Sequence, residues 1–306
     1  MCGKRITTGL LSALVLLVIL LQSGCGGALP DEGGKLIVAV SILPQKYFVE
    51  KIVSDSIDIV VVVPPGANPA TYEPSPSDMR NMSSVNVWFT IGVPFESPWL
   101  PRFTGTNPDL RIRSTIENIE RLPIDRYGVT EHETSSEHHS HSRGSTDPHV
   151  WLSPELVRSQ AAVIADELSL LDSSGADIFA ANLNSFSAEI DSLQNSIRSL
   201  IGPSSSGSFI VFHPAWGYFA DEFNLVQIPI ETAGSEPSPR EMSLLIDYAR
   251  ENDIRAVFVS PQFSTSSAEA IAAEIGVEVK YIDPLAEDWS SNLYNVAELL
   301  SGTAEP

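Results

Sequence analysis

Apolar residues recur along the chain in two rhythms. Short apolar runs rich in β-branched residues occupy 36–41, 57–63, 86–91 and 110–113, then 209–212, 225–230, 256–259 and 277–282. Between them, stretches with helical spacing lie at 45–54, 154–171, 238–251, 266–275 and 292–300. Continuous apolar strands separated by helices predict parallel sheets covered on both faces. The longest helical stretch, 176–201, places Phe179, Leu183, Phe186, Ile190, Leu193, Ile197 and Leu200 in steps of four and three. One apolar stripe thus runs along roughly 39 Å of helix, more than the diameter of a small domain. It divides the strands into two groups of four, which predicts an α/β fold of two similar lobes with mainly parallel sheets, joined by a long rigid linking helix. On this reading the first lobe spans 35–173, the linking helix 174–201 and the second lobe 202–306. The plainer alternative is an ordinary long helix packed within one domain. Two open sheets facing each other form a cleft, and ligands of such sheets bind beyond the carboxyl ends of the strands.

Two segments stand outside this alternation. At the N-terminus, Lys4 and Arg5 precede a nearly unbroken apolar run over residues 10–21, followed by Gln22, Ser23, Gly24 and Cys25. A run of that length falls short of the roughly 20 residues that a spanning helix needs, so residues 1–25 read as an export signal. Its end resembles a bacterial-type lipobox in which Cys25 is lipid-modified, with Gln22 where an aliphatic residue is preferred. An uncleaved anchor is the alternative, and either way the remaining chain is expected outside the membrane, as a periplasmic or cell-surface protein. Residues 26–34 form a Gly-rich spacer. The second segment, 124–148, is polar and aperiodic and reads as a loop, with a His-rich part at 130–147.

Composition narrows the choices. The formal charge is −21, or −23 without Lys4 and Arg5, and there are no basic clusters. Nucleic acid is therefore excluded as a partner. An acidic surface enriches cations, which suits metal capture. The only other cysteine, Cys2, lies within the signal, so the mature chain relies on its core, and about 280 residues can supply one.

The six histidines fall into two groups. His132, His138, His139 and His141 lie in the polar loop, where Glu131, Glu133 and Glu137 add oxygen ligands. His213 directly follows the strand 209–212, and Asp283 follows the strand 277–282, both at strand ends where a cleft ligand belongs. His149 sits just before a helix, within Asp-Pro-His-Val-Trp-Leu-Ser-Pro. Imidazole nitrogen with carboxylate oxygen suits zinc and its neighbours. The bland alternative is that Asp283 caps a helix and the histidines simply pack. Trp151, Trp216 and Tyr218 flank these positions, either as an apolar shell limiting water or as plain core.

Several stretches, in order, carry a family resemblance: Pro-Pro-Gly-Ala-Asn-Pro-Ala-Thr-Tyr-Glu-Pro-Ser-Pro at 64–76, the His149 motif at 147–154, Phe-His-Pro-Ala-Trp-Gly-Tyr-Phe at 212–219, Glu-Pro-Ser-Pro at 236–239 and Asp-Pro-Leu at 283–285. The chain resembles the zinc- and manganese-binding solute-binding proteins of ABC importers, the ZnuA/TroA-like family, over its whole mature length. The resemblance implies a metal cleft between two α/β lobes, a monomer delivering its ion to an ABC permease and ATPase, and His149, His213 and Asp283 as metal ligands. It also implies that the His-rich loop gathers metal. Where the family has its first histidine ligand, this chain has Ala70. Water, Glu73, or one of His138, His139 and His141 could take that place. Zinc is the expected ion because His213 stands where manganese-type relatives resemble a carboxylate, with manganese or iron as alternatives.

Two other functions follow from the missing ligand. A zinc hydrolase has three protein ligands and a water, but also needs a general base, for which only Glu73 is near in sequence. A surface lipoprotein whose metal site has decayed, serving as an adhesin, is the other. Catalysis is not expected.

Overall fold

The structure is a computed structural model that describes residues 35–53, 57–124, 146–202, 207–231, 234–252, 254–263 and 265–302. The expected signal, Cys25, the spacer and the loop histidines lie outside these residues.

Among the described residues, eight short strands form two sheets. Strands β1 (Ile37–Val40), β2 (Asp58–Val61), β3 (Val87–Thr90) and β4 (Arg111–Ser114) align in the order β2-β1-β3-β4. Strands β5 (Ser208–Val211), β6 (Val226–Pro229), β7 (Ala256–Val259) and β8 (Glu278–Tyr281) repeat it as β6-β5-β7-β8. Every pairing is parallel, for example Val38 opposite Ile59 and Val257 opposite Val279. The sequence of each strand matches its place. Central β3 (VWFT) and β7 (AVFV) are buried at every position, as strands covered on both faces must be. The edge strands β4 and β8 carry Arg111, Arg113, Glu278 and Lys280, charges that discourage pairing with another chain.

Helices α1 (Leu43–Ile52), α2 (Pro76–Met82), α3 (Glu96–Thr106), α4 (Pro154–Leu171) and α5 (Ala176–Ile201) belong to the first part of the chain. In the second, α6 (Gly217–Glu222), α7 (Pro239–Glu251), α8 (Ser266–Ile275) and α9 (Trp289–Ser301) alternate with the strands. Both α4 and α7 begin with a serine cap followed by proline: Ser153 accepts from the Leu156 N–H and Ser238 from the Glu241 N–H. Three helices escape the periodicity. α2 offers few apolar residues, α3 is interrupted by Pro98 and Pro101, and α6 is only six residues long.

Helix α5 buries the predicted stripe at Phe179, Phe186, Ile190, Leu193 and Ile197. It packs on α1, α4 and α9. Phe186 contacts Phe48 of α1 and Trp289 of α9, with ring centroids 6.3 Å apart in each case, and Phe48 meets Trp289 edge-on at 5.3 Å. One apolar core consequently runs from the first sheet through these helices to Phe209, Val211 and Phe258 on one face of the second sheet. The opposite face, with Ile210, Val257 and Val259, packs separately against α7 and α8. The described residues from Leu36 onward form one compact unit.

Candidate metal site

Both sheets present the carboxyl ends of their strands to a cavity of about 170 Å³. In each sheet the strand order reverses at the central pair, β1/β3 and β5/β7, the place where open α/β sheets bind ligands. Gly92 and Val93, just past β3, border the cavity from the first sheet, and His213, Gln262 and Phe263, past β5 and β7, border it from the second.

His149 precedes a 3₁₀ turn, Val150–Leu152, that leads into α4. Its orientation comes from Asp147, whose Oδ1 lies 2.7 Å from His149 Nδ1 and accepts the His149 backbone N–H at 2.9 Å. Asp147 is fully buried. The ring of His213 is held in the same way, its Nδ1 2.6 Å from Oε1 of the buried Glu231, which follows β6. A carboxylate at Nδ1 fixes the neutral tautomer that keeps the Nε2 lone pair free. The two imidazoles meet edge to face, centroids 5.2 Å apart. Phe263 stacks on His213 at 4.4 Å, and Trp151 lies 5.1 Å from His149. Burial lowers the His213 pKa below its ordinary value against the opposing pull of Glu231, and His149 adds to the lowering, so the ring is neutral at neutral pH.

Asp283 is placed differently. Its Oδ1 accepts from Gln262 Nε2 at 2.8 Å and from the Leu285 N–H at 2.9 Å. Its neighbours Pro284 and Leu285 border the cavity, as does Gln262. Among the described residues, no three His, Cys, Asp or Glu side chains are grouped closely enough to hold an ion together. The structure therefore brings His149 and His213 together at the cavity, whereas Asp283 does not border it and is engaged with Gln262.

Ala70 borders the cavity, in the expected turn: its N–H bonds Asn68 Oδ1 at 2.8 Å, and Gly66 has φ +80°. Glu73 is exposed and does not border the cavity. Of the aromatic residues expected near the ligands, Trp151 borders the cavity. Trp216 is core, packed on Phe219 with ring centroids 5.8 Å apart. Tyr218 is core as well, and its hydroxyl accepts the Leu122 N–H at 2.9 Å and donates to the Asp147 carbonyl at 3.0 Å.

Asp147 and Glu231, the carboxylates that aim the imidazoles, went unassigned from sequence. Asp147 stands inside the recognised motif and Glu231 follows a predicted strand, but nothing in the spacing pairs either with a histidine. Glu96 was missed altogether. Its carboxylate accepts the N–H groups of Ile91 and Gly92, each at 2.8 Å, and the Ser41 hydroxyl at 2.5 Å. It thereby shapes the loop at the cavity wall. Gly92 has φ +84°, and a Cβ there would lie 2.6 Å from Ile116 Cδ1, so the turn requires glycine.

The sequence model for the zinc-uptake complex component A, periplasmic, matches residues 38–300. The high-affinity zinc uptake system protein ZnuA of Bacillus subtilis is 26% identical over 276 residues, covering 87% of this chain and 85% of its own. The manganese-binding lipoprotein MntA of Halalkalibacterium halodurans is 26% identical over 277 residues, covering 88% and 86%. A ZnuA crystal structure superposes with a TM-score of 0.79 at 42% identity, covering 88% of this chain and 99% of its own.

Proposed function

The chain belongs to the family of periplasmic zinc-uptake components, and from that premise we propose that it is the solute-binding component of an ABC-type metal importer. It takes a divalent transition-metal ion, zinc by preference, into the cavity between the sheets and passes it to a membrane permease driven by an ATPase. The observation that carries this reading is the pair of imidazoles, each anchored at Nδ1 by a buried carboxylate and meeting edge to face at the cavity wall. Anchored, neutral imidazoles are the usual ligands of zinc.

His149 and His213 supply the nitrogen ligands, and Asp283 supplies an oxygen through Oδ2 while Gln262 and the Leu285 N–H hold Oδ1. Two nitrogens and one oxygen favour zinc, and the same set accepts manganese or iron. Nothing in this function changes the cargo chemically. A hydrolase would need a base at the ion, and Glu73 is exposed and off the cavity. The mature protein is exported, tethered through a lipid on Cys25, and acts as a monomer. No helix among the described residues is long and apolar enough to cross a membrane. Its lobes are 35–173 and 202–306, with 174–201 linking them.

Calorimetric titration of zinc into the mature chain tests this function. Saturable binding at one site is expected, and the variant combining His149→Ala with His213→Ala should lose it. Equal affinity in parent and variant would overturn the assignment of the site.

A further inference from the structure

We propose that the ion is bound together with a small imidazole-type molecule, a heteroaromatic nitrogen donor that enters with it and lies beside Ala70. This rests on the metal-receptor reading above and concerns what completes the ion's coordination.

Ala70 carries no donor atom, yet it borders the same cavity as His149 and His213. The space there is much larger than an ion requires. Zinc sits about 2.0–2.1 Å from its nitrogen ligands, whereas the cavity holds about 170 Å³. An apolar cavity of about 150 Å³ accommodates a benzene ring, so a five-membered ring fits this one beside an ion.

The lining selects among possible donors. Val93, Pro94, Phe263 and Leu285 give it apolar walls. Beyond the two histidines, a lone water would find polar side chains only at Asn68, Thr146 and Gln262, and it would leave most of the cavity unfilled. A carboxylate would enter a chain of formal charge −21, between Asp147, Glu231 and Asp283. A neutral flat ring avoids both penalties: its carbon edges meet the apolar walls and one nitrogen meets the ion.

Gln262 supplies an independent indication. Its Nε2 is committed to Asp283, and its Oε1 is buried without a hydrogen-bond partner among the described residues. A buried carbonyl oxygen left unpaired costs stability. An imidazole bound to metal through one nitrogen carries an N–H on the other, which is the donor that Gln262 Oε1 lacks.

The test is zinc titration of the mature chain in a non-coordinating buffer, with and without millimolar imidazole, alongside two variants. Ala70→His adds a protein imidazole at the same wall and controls for zinc–imidazole complexes in solution. The second variant replaces His132, His138, His139 and His141 with alanine. Imidazole is expected to tighten zinc binding by the parent on the order of tenfold, and the second variant should behave like the parent. Ala70→His should bind tightly without imidazole and gain nothing from it. Parent affinity indifferent to imidazole would overturn the proposal. So would a second variant that binds weakly until imidazole is added while the parent needs none, because the donor would then come from the chain itself. Absence of zinc binding in the parent and in Ala70→His, with and without imidazole, would overturn the metal-receptor reading and this proposal with it.

Discussion

The indole N–H of Trp151 donates to the carbonyl oxygen of Pro284 at 2.7 Å. Trp151 lies two residues past His149 and Pro284 one residue past Asp283, so this single bond joins the segments bearing two of the three proposed ligands. Trp289 reinforces it by donating its own indole N–H to the Trp151 carbonyl, also at 2.7 Å. Trp151→Phe keeps most of the packing but leaves the Pro284 oxygen unpaired. It should cost about 1–3 kcal/mol in urea unfolding and weaken zinc binding in calorimetry.

The carboxylates behind the imidazoles should matter nearly as much as the imidazoles. Glu231→Gln and Asp147→Asn remove the charge that fixes each tautomer while keeping the side-chain volume. Zinc affinity is expected to fall about 10- to 100-fold in each. Circular dichroism should stay that of the parent. Unchanged affinity would mean that the rings are aimed by packing alone.

Glu96 should impose its own pH dependence on stability. Burial raises its pKa to about 7 from an ordinary 4.5, against the hydrogen bonds from Ser41, Ile91 and Gly92 that pull it down. Between these values the folded state holds a proton that the unfolded state releases, so stability falls as pH rises through this window. The loss approaches about 3 kcal/mol when the group is fully ionised. Urea unfolding at pH 5 and pH 8 should therefore show a smaller decline in Glu96→Gln than in the parent. The variant should be less stable at pH 5, because one amide cannot accept all three hydrogen bonds.

Loading should change the overall shape little. Glu222 of α6 accepts from Ser153 and Gln194, the latter at 2.7 Å, and Lys46 pairs with Glu287, so polar ties accompany the shared apolar core between the two sheets. X-ray scattering with and without zinc is expected to give the same radius of gyration within error. A clear contraction on loading would contradict this.

The fold was legible where the chain obeys a period. Helices α4, α5 and α8 and strand β7 lie where their apolar spacing places them, because each buries a regular stripe or a continuous run. α3 was illegible because Pro98 and Pro101 interrupt its pattern, yet Phe103 is fully buried and holds it to the core. Strand-end logic reached His213 and the motif reached His149, both of which border the cavity, whereas Asp283 does not. Gln262, Asp147 and Glu231 act through contacts between segments, and Glu96 through a loop that folds back on it. Such contacts exist only after folding, so no local spacing announces them.

The core shared by the two sheets bears on how cargo could leave. A receptor built on a flexible hinge announces its load by shutting, and its transporter can recognise the shut form. Here Phe48, Phe186 and Trp289 weld the halves together. A permease would instead have to sense the few loops at the cavity mouth, around Ala70, Gly92 and Phe263, and free the ion by disturbing those loops locally.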